Sequence, residues 1–267
     1  MTSETDRAAT TPRQSLNWRT LWLLTGAGVL GVVAIIPASL TEQANLLKDF
    51  PIPLWVILPI QLVQNAVLIG VAVGLGLWLG RKIGLGAPLI EAWMKGKEIG
   101  SWLKGILLPS LILGSAAAIL VIALEEVFFA RRLPKPSIEV PQAPLWQHLL
   151  TGVYGGITEE LLMRLGLFTI VAWLLVKVSR KRDGQPSLKI LWLANVIVAI
   201  LFGLGHLPAT MLLFPLTPLV IARAIILNGL AGLAFGYLYW TRGLESAMLA
   251  HFSGDMILIV STRLFGT

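Results

Sequence analysis

The stretch Ile52–Gly80, IPLWVILPIQLVQNAVLIGVAVGLGLWLG, contains no charged residue. A membrane span needs about 20 mainly apolar residues in a row, and this run exceeds that without a single Asp, Glu, Lys or Arg. Outward from it the pattern repeats. Further apolar runs cover Leu21–Leu40, Ile106–Ala130, Leu145–Val178, Ile190 to about Leu216, Leu219–Trp240 and Leu244–Phe265. The expected fold is all-α: a polytopic transmembrane helical bundle of about seven spans. The fourth run is too long for one straight span, since it would make about 50 Å of helix. Gly155 and Gly156 lie inside it as a break or tilt point. Between the second and third runs, Arg81–Lys104 mixes Glu91, Lys95, Lys97 and Glu98 with Trp93 and Trp102. That is the pattern of an amphipathic interfacial segment with its indole rings at headgroup level.

Composition leaves little else. Of 267 residues, 56% are hydrophobic and 13% charged, with a mean hydropathy of +0.79. A soluble domain carries about 25% charged residues, so a polar shell cannot be assembled around so large an apolar interior. Cysteine is absent, which removes disulfides, thiolate metal sites and Cys nucleophiles. The net charge of +7 does not point to nucleic acid, because the cations cluster between apolar runs, where they set membrane orientation. With the N-terminus inside, 14 of the 21 Lys and Arg fall in inner segments. Five (Lys48, Arg131, Arg132, Lys135 and Arg263) fall in outer ones, and Arg164 and Arg223 lie within spans. A cytoplasmic N-terminus and an outer C-terminus follow. Residues 1–20 form a polar tail that lacks the apolar core of a signal peptide and is expected to stay attached.

Ionisable residues inside a bilayer are costly and face a polar cavity or one another. In Thr158–Arg164 (TEELLMR), Glu160 and Arg164 are i,i+4 and share a helical face. Adjacent helical residues diverge by about 100°, so Glu159 is set to one side of that pair, where it is either a poised general base or part of an ion-paired structural helix. In FGLGH, Phe202 is i,i+4 with His206, and its ring can hold the imidazole rotamer; Gly203 and Gly205 permit close helix approach. In HFSGD, His251 and Asp255 are again i,i+4, so the carboxylate orients the imidazole or bonds substrate directly. Glu125 and Glu126, with Arg131 and Arg132, lack i,i+4 spacing and border a proline-rich loop, so they read as solvated interface. Counted along straight helices, Glu159 and His206 lie about 25 Å from the inner ends and His251 about 15 Å. A break at Gly155–Gly156, one near Pro208, or helix tilt would close that gap.

Taken in order, Glu159-Glu160-x-x-x-Arg164, Phe202-x-x-x-His206 and His251-x-x-x-Asp255 resemble the motif set of the CPBP family, the CAAX-processing and bacteriocin-protection (Abi) intramembrane proteases. The resemblance spans roughly residues 145–264. It divides the chain into the polar tail, N-terminal transmembrane helices over 21–144, and a CPBP-like catalytic region over 145–267. It implies an intramembrane endopeptidase in which Glu159 and His206 activate a water. His251 with Asp255 would stabilise the oxyanion, and Glu160 and Arg164 would support the site. Some members carry Asn at the last motif position, where this chain has Asp255. An ionised Asp255 would repel an oxyanion, so it is protonated, orients His251, or belongs to a metal site. The metal-free glutamate mechanism is favoured and no cofactor is expected; the alternative is zinc held by Glu159, His206, His251 and Asp255. The implied partners are membrane lipid and a membrane-associated peptide or protein, of CAAX type or other, with no nucleic acid. The competing functions are a transporter or proton relay, disfavoured by the lack of a detectable repeat, and a non-catalytic immunity or scaffold protein of the same fold.

Overall fold

The computed structural model of the protein describes residues 17–48, 51–179 and 184–265. Most of the polar tail, with Arg7 and Arg13, lies outside the described residues, as do Arg180, Lys181 and Arg182. Seven helices are long and apolar enough to cross a membrane. They are α1 (Trp18–Glu42), α2 (Leu54–Ile83), α3 (Gly100–Arg132), α4 (Leu145–Val178), α5 (Leu188–Leu213), α6 (Pro218–Arg242) and α7 (Leu244–Leu264). No strand occurs among the described residues, and the protein is an all-α integral membrane bundle.

Local chemistry sets the helix ends. The Asn17 carboxamide oxygen accepts the N–H groups of Arg19 and Thr20 at the start of α1. Thr217 accepts from Val220 N–H ahead of Pro218 in α6. Gly84, at φ 74°, closes α2 in the left-handed conformation that glycine adopts without a Cβ penalty. Large side chains such as Trp22, Ile60, Val63, Leu108 and Ile119 stand exposed on the outside, as expected of helices solvated by lipid. Inward, Leu24, Ile69, Val73, Leu161, Leu165 and Phe168 form part of one core.

Successive spans run antiparallel and define two ends of the bundle. At one end, Arg242 Nη1 donates to the Gly105 carbonyl and Leu244 N–H to Gly86. At the other, Asn45 donates to the Glu139 carbonyl, Ser137 N–H to Leu213, and Arg263 to Gln142 and Ala143. The expected interfacial segment contains a short helix, Pro88–Met94, fastened from α7: Glu245, 7% exposed, accepts Ile90 N–H at 2.7 Å.

Three local readings change. The fifth run does not reach Leu216 as one helix: it stops at Gly205, turns at His206 and resumes over Leu207–Leu213. The fourth is not merely interrupted at its glycines, for Tyr154–Glu159 and Leu161–Phe168 are wound as π-helix. The depth count along a straight α-helix therefore does not apply there. Glu125 is not simply solvated. Its Oε2 receives Arg223 Nε at 2.7 Å from α6, 98 residues away in sequence, a partner that i,i+4 spacing cannot reveal.

Candidate active site

The π-wound segment of α4 carries Glu159, Glu160 and Arg164. π-Helix is rare and concentrates at functional sites. Its wider turn reduces the divergence of adjacent side chains below the α-helical value, and here both glutamates reach one imidazole. His251 Nδ1 lies 2.8 Å from Glu160 Oε1, and His251 Nε2 lies 3.6 Å from Glu159 Oε2. The same Nε2 is 3.6 Å from Asp255 Oδ1, one turn along α7. The sequence reading separated the two glutamates because it gave them a point to share; a ring with two nitrogens offers two.

This approach requires glycine on α4. A Cβ at Gly155 would run into the Asp255 carboxylate and come within 3.1 Å of His251 Nε2, and one at Gly156 would meet the Phe252 Cβ at 2.9 Å. Gly155–Gly156 is thus the packing surface on which α7 sits. In FGLGH the two glycines differ. A Cβ at Gly203 would strike the backbone of Ile225, whereas one at Gly205 meets nothing within 4 Å, so only Gly203 serves a close helix contact.

Burial divides the cluster into two layers. The Glu160 and Arg164 side chains are 0% and 1% exposed, with Arg164 Nε 3.3 Å from Glu160 Oε2. The guanidinium carbon lies 5.2 Å from the Phe202 ring centroid and 5.7 Å from that of Phe235, contacts of cation–π type. Above this sealed layer, Glu159 and Asp255 are 21% and 24% exposed. They open into a cavity of about 660 Å³ that His206 and His251 also line.

His206 stands at the turn where the first segment of α5 ends. Its Nδ1 lies 2.8 Å from the Phe202 carbonyl. A carbonyl can only accept, so Nδ1 carries the hydrogen, and in the neutral ring Nε2 is left as a lone-pair acceptor. Phe202 packs edge-on to His206 with centroids 4.7 Å apart and is also 5.9 Å from His251. Sequence reasoning missed Phe235, which stacks on His251 at 4.5 Å and 22°. A phenylalanine in an apolar helix carries no signal of that role. It also passed over Tyr154 and Asn228, which line the cavity. Polar side chains within apolar runs were the available clue to both.

Among the described residues, no three His, Asp or Glu side chains are disposed to hold a metal ion. If zinc were held here, Glu159, His206, His251 and Asp255, which line one cavity, would be its ligands. The Glu125–Arg223 pair stands apart from the cavity lining. Residues 141–257 match the family model described as Type II CAAX prenyl endopeptidase Rce1-like. No curated protein and no solved structure matches the chain.

Proposed function

We propose that this membrane protein hydrolyses a peptide bond of a membrane-associated substrate with water activated by Glu159 and His206, a reading supported by the match of residues 141–257 to the Rce1-like family model. The observation that carries the proposal is the layering of the carboxylates: Glu159 reaches the cavity while Glu160 is sealed beneath it. A base must meet the water whose proton it takes, and of the two glutamates only Glu159 lines the cavity.

In this reading a water is held by two acceptors. His206 Nε2 takes one of its hydrogen bonds, the tautomer being set by the Phe202 carbonyl. Glu159 takes the proton as the water oxygen attacks the scissile carbonyl carbon. The oxyanion that forms is met by His251. With Nδ1–H donated to Glu160, the ring in its imidazolium form presents Nε2–H to the cavity. Asp255, at 3.6 Å from that nitrogen, orients the ring, which gives it a role other than contact with the oxyanion. Glu159 then returns its proton to the departing amine. No metal takes part.

The test is cleavage by the purified protein in detergent of two probes, a farnesylated C-terminal CAAX peptide and an unlipidated peptide library, with and without chelator. Wild type is expected to cleave at least one probe regardless of chelator. Glu159→Gln is expected to retain the elution profile and thermal stability of wild type and to lose turnover. Stoichiometric zinc, with activity lost on its removal and regained on its return, would overturn the metal-free mechanism. Absence of cleavage of either probe would favour a non-catalytic scaffold.

A further inference from the structure

The cavity is not midway between the two ends of the bundle. It runs from Phe235 and His251, each seven residues from the Gly243 end of its helix, to Gln43, Thr151 and Ile259, near the opposite end. That end gathers the C-termini of α1, α3, α5 and α7 and the N-termini of α2, α4 and α6. The hydrogen bonds of Asn45, Ser137 and Arg263 to neighbouring segments tie it together.

The cations are concentrated at the other end. Among the described residues it carries Arg19, Arg81, Lys82, Lys95, Lys97 and Lys104, together with Lys177, Lys189 and Arg242. The end with the cavity carries Lys48, Arg131, Arg132, Lys135 and Arg263. Arg7, Arg13, Arg180, Lys181 and Arg182 add to the larger set in sequence, since they precede α1 or follow α4. Lys and Arg in short loops near span ends are retained on the cytoplasmic side, and this bias sets overall orientation. The connections here are of that short kind, the longest between successive spans being the segment from Ile83 to Gly100.

We infer that the basic end faces the cytoplasm and that the cavity opens at the opposite, extracytoplasmic face, so that its substrate is a membrane-anchored peptide segment presented on that side. This rests on the peptidase reading for the word substrate, while the orientation stands on charge and geometry alone. It changes the class of substrate. A C-terminal tail lipidated in the cytoplasm lies on the wrong side of the membrane, whereas the juxtamembrane segment of an exported or outward-facing membrane protein lies at the mouth of the cavity.

The chain contains no cysteine, so single substitutions report position without background. Lys135→Cys and Gln43→Cys mark the cavity end, and Lys97→Cys marks the basic end. Each full-length variant is expressed in bacterial spheroplasts and treated with a membrane-impermeant maleimide before and after lysis. The expected result is that Lys135→Cys and Gln43→Cys label in intact spheroplasts and Lys97→Cys only after lysis. Labelling of Lys97→Cys in intact spheroplasts, alone or together with the others, overturns the orientation. Because labelling needs no turnover, this failure is distinct from a failure to cleave peptide in detergent, where both faces are accessible.

Discussion

Removing the cation from the sealed layer is the sharpest test of what that layer does. Arg164 and Glu160 are 1% and 0% exposed, and Arg164 Nε is the nearest cation to Glu160 Oε2 at 3.3 Å. Truncating one partner of a buried pair leaves the other charge uncompensated, at a cost of about 3–5 kcal/mol. That corresponds to roughly 10²–10⁴ in the folding equilibrium, at about 1.4 kcal/mol per decade. Arg164→Ala would confound this with lost packing, because the guanidinium also fills the space between the Phe202 and Phe235 rings. Arg164→Met keeps much of that volume and isolates the charge. The double substitution Glu160→Gln with Arg164→Met removes both charges, and replacing a whole buried pair by neutral groups of similar volume is often close to neutral. The assay is unfolding in mixed micelles with increasing sodium dodecyl sulfate, followed by fluorescence of the 10 tryptophans. The expected order of stability is wild type, then the double variant close behind, then Arg164→Met well below both. If the double variant unfolds as readily as Arg164→Met, the bare carboxylate is not the source of the loss and the layered reading fails.

Three further outcomes follow from the geometry. Gly155→Ala forces a methyl group against Asp255 and His251 and is expected to cost about 1–3 kcal/mol as an overpacking change with loss of turnover; Gly205→Ala, which meets nothing within 4 Å, should be silent in both the unfolding and the cleavage assay. His251→Ala removes the proposed oxyanion donor and should lower kcat by about 10²–10³, leaving measurable single-turnover cleavage, whereas Glu159→Gln should leave none; equal losses would merge the two roles. Glu125→Gln breaks a pair that is partly exposed and lies outside the cavity lining, so turnover should persist and stability fall by no more than about 1 kcal/mol.

The seven spans were legible because lipid imposes length and apolarity on each helix separately, and those properties are local in sequence. The runs ending at Val178 and beginning at Leu244 coincide with α4 and α7 for that reason. The acidic and histidine residues lining the cavity were also legible, because Glu159, His206, His251 and Asp255 are conspicuous against an apolar background, whereas Gln43, Thr151, Tyr154 and Asn228 were not. What was not legible depends on how one helix lies on another. The contact between Glu160 and His251 joins residues 91 apart, and Glu125 with Arg223 joins residues 98 apart. Neither has a periodicity to read. The π winding of Tyr154–Phe168 escaped as well, since α and π turns draw on the same residues and no sequence periodicity separates them.

The sealed pair raises a question of its own, because a buried ion pair stabilises a fold less than well-packed apolar residues commonly do. Its position suggests what it is for. Glu160 presents one oxygen toward Arg164 and the other to His251 Nδ1. The cation keeps that carboxylate an acceptor, and an acceptor at Nδ1 requires the ring to place a hydrogen there. Nε2 is thereby the nitrogen committed to the cavity, between Glu159 and Asp255. Phe235, stacked at 4.5 Å, holds the ring plane while Glu160 holds its rotation. The double variant described above separates this from stability. With glutamine at position 160 the bond to Nδ1 can be offered by either end of the amide, so Nδ1 is no longer held as a donor and the ring loses the carboxylate that fixed its rotation. A protein as stable as wild type but slower by an order of magnitude or more would locate the function of the pair in orienting His251. A double variant that is both stable and fully active would show that the imidazole needs no such direction, and would move the burden of positioning to Asp255.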